Sequence, residues 1–176
     1  MPDNIILCGF MGTGKTTVGR LITARQHWRF VDTDRIIEQR QGKSISAIFA
    51  DEGESAFRRL ESALCRELRG WQHMVIATGG GIVLDPANRE NLVEAGLVVC
   101  LEAPPEEIAA RLVHVTDRPL LAGPDPISRI KELLAARASA YGALPYHIDT
   151  AERPAQAVAD EIVALWLRLK AGVPGG

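Results

Sequence analysis

The sequence predicts an α/β protein of three layers, in which a parallel β-sheet of five strands lies between two layers of helices. Short apolar segments alternate along the chain with longer segments of helical periodicity. The apolar segments are brief and mostly hydrophobic, as is typical of parallel strands that are covered on both faces. The length of 176 residues suits one folded unit. We therefore expect a single domain over residues 1–176.

The elements can be placed in order along the chain. The strands are predicted at residues 4–8, 29–32, 74–78, 97–101 and 146–149. The helices are predicted at residues 15–27, 34–41, 54–68, 86–94, 105–113, 127–141 and 155–170. Asp85 before Pro86 is a typical helix start, and Pro105 is followed by two acidic residues that favour another start.

Composition and charge exclude several classes of protein. Hydrophobic residues make up 47% and charged residues 24%, which is ordinary for a globular chain and excludes a disordered or fibrous one. The net charge of −2 disfavours a surface devoted to nucleic acid. Three widely spaced cysteines indicate neither a disulfide framework nor a thiolate metal site, and the four histidines lack metal-ligand spacing. We expect a cytoplasmic protein that binds neither membrane nor nucleic acid, with a flexible tail at residues 172–176.

The strongest motif runs from Gly9 to Thr16 and matches the pattern G-x-x-x-x-G-K-[ST] between a predicted strand and a predicted helix. Its glycines let backbone N–H groups surround a phosphate at the positive end of the helix. Lys15 would reach the β- and γ-phosphates, and the Thr16 hydroxyl would bind Mg²⁺. The alternative is a glycine-rich turn that happens to precede a lysine.

The kind of phosphate-loop protein depends on the acidic residues. The chain lacks the N-K-x-D and D-x-x-G motifs of GTPases, and no acidic residue ends the strand at 74–78. Asp32 and Asp34 end the second strand, where alternation would direct both to one side of the sheet. One would serve the metal and the other an acceptor hydroxyl that loses its proton. Alternatively, Asp34 only caps the next helix.

Taken together, these motifs resemble the shikimate kinase family over nearly the whole chain. The residues that carry the resemblance are Gly9 to Thr17, Asp32 with Asp34, Phe57-Arg58 with Glu61, Gly79-Gly80-Gly81, Arg118 to Leu121, and Arg137 with Tyr141. The resemblance implies a P-loop NTPase of the nucleoside-monophosphate-kinase type with strand order 2-3-1-4-5. It also implies a substrate-binding subdomain near residues 33–61, a lid near 113–125, and transfer of the ATP γ-phosphoryl group to the 3-hydroxyl of shikimate for chorismate biosynthesis.

The resemblance further implies the role of individual residues. The ATP site would comprise Gly12, Thr13, Gly14, Lys15, Thr16, Thr17, Arg111, Arg118, Arg153 and Pro154. The shikimate site would comprise Asp34, Arg58, Gly79, Gly80, Gly81 and Arg137. Asp34 would accept the proton, Lys15 and Arg118 would stabilise the transferring group, and Mg²⁺ would bind Thr16 directly and Asp32 through water.

Several readings remain open at this level. Arg58 and Glu61 are also placed for an ordinary ion pair within one helix, and the three glycines for a plain loop. Arg111 and Arg153 match the family less closely, and residues 113–117 follow no family rule. Within the kinases the alternative is a gluconate-type or other small-acid enzyme. Outside them it is a catalytically inactive nucleotide-binding regulator. A monomer is expected.

Overall fold

The computed structural model of the chain describes residues 3–112 and 125–172. The strands are β1 (Asn4–Gly9), β2 (Arg29–Asp32), β3 (Met74–Ala77), β4 (Leu97–Glu102) and β5 (Tyr146–Asp149). The helices are α1 (Lys15–Gln26), α2 (Thr33–Gln41), α3 (Ile45–Glu52), α4 (Glu54–Leu68), α5 (Pro86–Ala95), α6 (Pro105–Leu112), α7 (Pro126–Gly142) and α8 (Ala155–Lys170). A short 3-10 helix, Ile82–Leu84, precedes α5.

The five strands form one parallel sheet in the order β2-β3-β1-β4-β5. This order confirms the predicted fold class and the predicted strand arrangement. Strand β1 is central and is buried along its whole length. All five strands point the same way, so their carboxyl ends share one edge of the sheet.

Each face of the sheet carries its own hydrophobic core. Alternate residues of β1 point to opposite faces: Ile6 and Cys8 belong to one core, Ile5 and Leu7 to the other. Helices α1 and α8 cover the second core, whereas α2 to α7 contribute buried side chains to the first. Burial on both faces explains why β1, β3 and β4 are mostly apolar, whereas the edge strands β2 and β5 are less buried and carry polar residues.

The structure corrects the start of the second helix. The prediction was a helix over residues 34–41, with capping by Asp34 as the competing interpretation; α2 instead begins at Thr33 and is capped by Asp32. Asp32 Oδ1 accepts from the backbone N–H of Asp34 at 3.0 Å and of Arg35 at 3.4 Å. Asp34 therefore lies within the first helical turn, and strand alternation does not set its direction.

Helix α3 is absent from the prediction. Its local signals were present: the Ser44 hydroxyl accepts from the Ala47 N–H, and the apolar residues Ile45, Ile48 and Phe49 have helical spacing. Its eight residues are fewer than those of an average helix, so the helical repeat of apolar residues is too short to stand out in the sequence. Most of the predicted lid, residues 113–124, and the tail beyond residue 172 lie outside the described residues. In the described parts of the chain, no helix has the length and apolar character needed to cross a bilayer.

Candidate active site

The phosphate loop connects the central strand β1 to α1 at the carboxyl edge of the sheet. Gly9, Gly12 and Gly14 have φ values of 126°, 80° and 95°, which side-chain-bearing residues rarely adopt. A Cβ atom at Gly9 would also collide with the carbonyl oxygen of Leu101. These glycines are required by the path of the backbone, as the motif predicted.

Two side chains stabilise the curled loop from within. The Lys15 ammonium donates to the carbonyl oxygens of Gly9 and Phe10, each at 2.8 Å. The buried Thr13 hydroxyl donates to the Phe10 carbonyl at 2.8 Å. Thr16 and Thr17 are exposed in the first turn of α1, where the N–H groups and the helix dipole favour an anion.

Two of the arginines predicted to bind ATP make contacts near the carboxyl end of β5. Arg111 of α6 donates to the Gly12 carbonyl at 3.1 Å and to the Thr150 carbonyl at 2.9 Å. Arg153 donates to the Asp149 carbonyl at 3.0 Å, and Pro154 directly precedes α8. Arg111 thus touches the phosphate loop itself, whereas the contacts of Arg153 are with Asp149 at the end of β5 and with Glu161 of α8.

On the other side of the loop, three successive glycines follow β3. Their φ angles lie outside the left-handed region, so space rather than backbone conformation demands glycine here. A Cβ at Gly79 would lie 3.2 Å from Asp34 Cγ, and one at Gly80 would lie 3.3 Å from Arg137 Nη1. One at Gly81 would lie 2.8 Å from Arg58 Cζ. Each glycine is therefore packed against one of the three charged residues predicted to bind substrate.

Further contacts fix the glycine segment against the rest of the site. The Thr33 hydroxyl accepts from the Gly79 N–H at 2.9 Å, and the Tyr141 hydroxyl donates to the Gly80 carbonyl at 2.8 Å. The Arg137 guanidinium lies 5.5 Å above the Phe10 ring of the phosphate loop. The glycine segment and the phosphate loop thus share neighbours and form one continuous site.

Arg58 is held by two acidic residues of its own helix. Its guanidinium donates to Glu61 Oε2 at 2.7 Å and to Glu54 Oε1 at 2.8 Å. The ion pair predicted between Arg58 and Glu61 is therefore present. About a third of the Arg58 side chain remains exposed, so the ion pair leaves part of the guanidinium accessible.

Glu61 is the most unusual titratable group of the site. Its side chain is 1% exposed, and a Cβ at Gly79 would lie 3.2 Å from its Oε1, next to Asp34. Burial raises the pKa of Glu61 to about 7, the Arg58 guanidinium opposes this, and the Asp34 charge adds to it. Burial likewise raises the pKa of Tyr141 to about 12, so this phenol stays protonated as a donor.

The predicted magnesium ligands are compatible with that ion. Thr16 presents an exposed hydroxyl in the first turn of α1, and Asp32 is partly buried at the end of β2. Both supply oxygen, which Mg²⁺ prefers, and Asp32 uses Oδ1 to cap α2.

Sequence reasoning missed three residues that shape the site, and one predicted residue cannot be placed. The sequence indicates Glu61 only as an ion-pair partner of Arg58 and Tyr141 only as part of a motif with Arg137, and it gives Thr33 no role in the site. Thr33 stands between two aspartates, which is the one local signal that it had. Arg118 lies outside the described residues.

Comparison with known proteins identifies what the chain is similar to. Residues 11–166 match the family model described as shikimate kinase. The shikimate kinase of Caldanaerobacter subterraneus subsp. tengcongensis is 43% identical over 167 residues, which is 95% of this chain and 98% of that protein.

Solved structures show the same relationship. Shikimate kinase from Acinetobacter baumannii, in complex with shikimate, superposes with a TM-score of 0.88 at 38% identity and covers 97% of this chain and 96% of that one. A gluconokinase from Sinorhizobium meliloti has a TM-score of 0.64 at 19% identity, covers 98% of this chain and 95% of that one, and shares the fold alone.

Proposed function

The chain belongs to the shikimate kinase family, and from this premise we propose how its residues carry out the reaction. The family's activity makes it an ATP- and Mg²⁺-dependent kinase that phosphorylates the 3-hydroxyl of shikimate. The observation that carries the residue assignment is the packing of Gly79, Gly80 and Gly81 against Asp34, Arg137 and Arg58 respectively.

The acceptor site is formed by those three side chains. Arg58 and Arg137 come from different helices and approach adjacent glycines, so their guanidinium groups can both face the carboxylate of shikimate. Asp34 then faces the ring hydroxyls from the first turn of α2. Residues 33–61, which contain α2, α3 and the start of α4, act as the substrate-binding subdomain.

The donor site is the phosphate loop. The N–H groups around Gly12, Thr13 and Gly14 and the start of α1 bind the ATP phosphates, with Lys15, Thr16 and Thr17 beside them. When the nucleotide binds, the Lys15 ammonium gives up its hydrogen bonds to the two loop carbonyls and donates to phosphate oxygens instead. Arg111, Arg153 and Pro154 line the place for adenine.

In the reaction, Asp34 accepts the proton of the attacking hydroxyl, which increases the nucleophilicity of its oxygen. Thr16 would hold Mg²⁺ directly and Asp32 would hold it through water, and the bound ion would supply positive charge that neutralises the phosphate groups. Lys15 stabilises the negative charge of the transferring group. Arg118 is assigned the same task from the sequence motif, and residues 113–125 the role of a lid.

Gluconate-type kinases share the phosphate loop, but they do not need the set formed by Asp34, Arg58, Arg137 and the three glycines. The relationship to curated shikimate kinases favours shikimate over gluconate. Three free, buried cysteines among the described residues support the finer proposal of a reducing cytoplasmic location. We also propose that the enzyme is a monomer that requires no nucleic acid or membrane partner.

The test is an assay of ADP release with ATP, Mg²⁺ and either shikimate or gluconate, together with product analysis by mass spectrometry. We expect turnover with shikimate and none with gluconate. Turnover with gluconate but not with shikimate would refute the assignment of shikimate as the substrate.

A second assay tests the role of Asp34. Asp34→Asn should lower kcat by about 10²–10⁴, the usual contribution of a general base, while ATP affinity is unchanged. The control is Asp160→Asn, an exposed aspartate of α8 outside the proposed sites, which should retain wild-type kcat. A normal kcat in Asp34→Asn would show that this residue only supports its helix.

A further inference from the structure

Three side chains with metal-binding atoms meet at the edge of the sheet, outside the residues assigned to the reaction. Cys100 and Glu102 are two residues apart on β4 and so face the same side of the sheet. His147 of β5 is the register partner of Cys100. One ligand atom from each residue lies within 4.8 Å of the other two. We call this group the edge cluster.

The histidine ring of the edge cluster is oriented by a backbone contact. His147 Nε2 lies 3.0 Å from the carbonyl oxygen of Leu144, which can only accept, so Nε2 carries a hydrogen. Nδ1 then points toward the cluster, 2.7 Å from Glu102 Oε1. Histidines that bind metals commonly donate their other ring N–H to a backbone carbonyl in this way.

We propose that the edge cluster is a binding site for a divalent transition-metal ion of the Zn²⁺ type. Cys100 Sγ, Glu102 carboxylate and His147 Nδ1 would be the three protein ligands and water the fourth. A thiolate, an imidazole and one carboxylate suit Zn²⁺, whereas Mg²⁺ prefers oxygen ligands alone. The site is thus chemically distinct from the magnesium site of the reaction.

Binding is an exchange of protons for the ion, without oxidation or reduction. The S–H bond of Cys100 breaks as the metal–sulfur bond forms, and the proton leaves to solvent. Nδ1 bonds to the metal through its lone pair while Nε2 keeps its hydrogen for the Leu144 carbonyl. The separation of Nδ1 and Glu102 would widen slightly, because both atoms would then lie about 2 Å from the ion.

The surroundings of the edge cluster allow an ion to reach it, and binding there would affect the stability of the fold. A cavity of about 320 Å³ is lined by Cys100 and Glu102 and also by Phe10 and Thr13 of the phosphate loop. Glu102 and His147 are exposed, so an ion can enter from solvent, and the cavity has room for a water ligand. A bound ion would link the outermost strand β5 to β4 and stabilise the folded chain.

The test uses the full chain, freed of metal with a chelator and then titrated with Co²⁺ and with Zn²⁺. Co²⁺ should produce a sulfur-to-cobalt charge-transfer band and the intense visible bands of four-coordinate cobalt. Zn²⁺ should abolish both signals, raise Tm and release protons in calorimetry.

Variants decide whether the edge cluster is responsible. His147→Gln changes an exposed residue and should weaken Zn²⁺ binding by at least about 10–100-fold; Cys100→Ser should remove the charge-transfer band. The matched controls are Cys8→Ser, the in-register buried thiol on β1, and His73→Gln, an exposed histidine elsewhere. Both controls should bind as the wild type does.

Either of two results would overturn the proposal. One is the absence of saturable Zn²⁺ and Co²⁺ binding to the wild-type chain. The other is unchanged affinity in His147→Gln, which means an adventitious ion only, even if Cys100→Ser fails to fold.

Discussion

Replacing Glu61 by glutamine should make the protein increasingly stable relative to the wild type as the pH rises. Glu61 is 1% exposed and accepts a hydrogen bond from Arg58 at 2.7 Å. Burial nevertheless outweighs this ion pair and raises the pKa of the carboxyl to about 7. Below that pH the folded protein keeps Glu61 largely neutral, and above it a charge must be held inside the site.

The magnitude follows from proton linkage. The ordinary pKa of 4.5 applies to the unfolded chain and a pKa of about 7 to the folded chain, so over that interval the unfolded state binds fewer protons. Stability therefore falls as the pH rises from the unfolded pKa through the folded pKa. At ~1.4 kcal/mol per pH unit the full loss is about 3 kcal/mol, of which about 2–3 kcal/mol falls between about pH 5 and pH 8. Glutamine has no proton to lose and escapes this loss.

The measurement is urea unfolding of both proteins at several pH values across that interval, compared as free energies of unfolding. The difference between variant and wild type should move by about 2–3 kcal/mol in favour of Glu61→Gln. The control is Glu67→Gln on the same helix, where Arg40 lowers the pKa of an exposed carboxylate; its difference from the wild type should be flat above about pH 5. Parallel stability curves for Glu61→Gln and wild type would refute the reasoning.

Four other changes give distinct outcomes in steady-state kinetics. Arg58→Ala should raise KM for shikimate by about 10- to 150-fold, which corresponds to the ~1.5–3 kcal/mol of a charged hydrogen bond. Arg66→Ala, an exposed arginine on the same helix outside the proposed subdomain, should leave KM unchanged. Gly81→Ala should also raise that KM, because the new methyl group would lie 2.8 Å from the Arg58 guanidinium carbon; equal KM values would contradict this crowding. Arg111→Ala should raise KM for ATP and spare that for shikimate, since Arg111 touches the loop carbonyl of Gly12. Lys15→Met should abolish turnover with the far-ultraviolet circular dichroism retained, and measurable activity would show that the lysine only supports the loop.

Local signals in the sequence were sufficient for most of the fold. The phosphate-loop motif fixed the position of β1 and α1, and every strand was placed within one residue of its observed ends. These features are readable because parallel strands are apolar on both faces and because glycine at positive φ leaves a motif in the chain. Helix α3 was not predicted because so short a helix has too few positions to show a helical period. The start of α2 was placed one residue late because either Asp32 or Asp34 could cap the helix.

The sequence by itself determined the phosphate loop, the family resemblance and the residue types available for catalysis. Only the tertiary structure decided which of them meet: the pairing of each glycine after β3 with one charged side chain, the burial of Glu61 and the edge cluster of Cys100, Glu102 and His147. His147 is 47 residues from Cys100 along the chain, and they become neighbours only through the register of β4 and β5. Spacing along a chain reports contacts within one helix or strand, whereas contacts between elements, and the loss of water that raises a pKa, arise only when the sheet assembles.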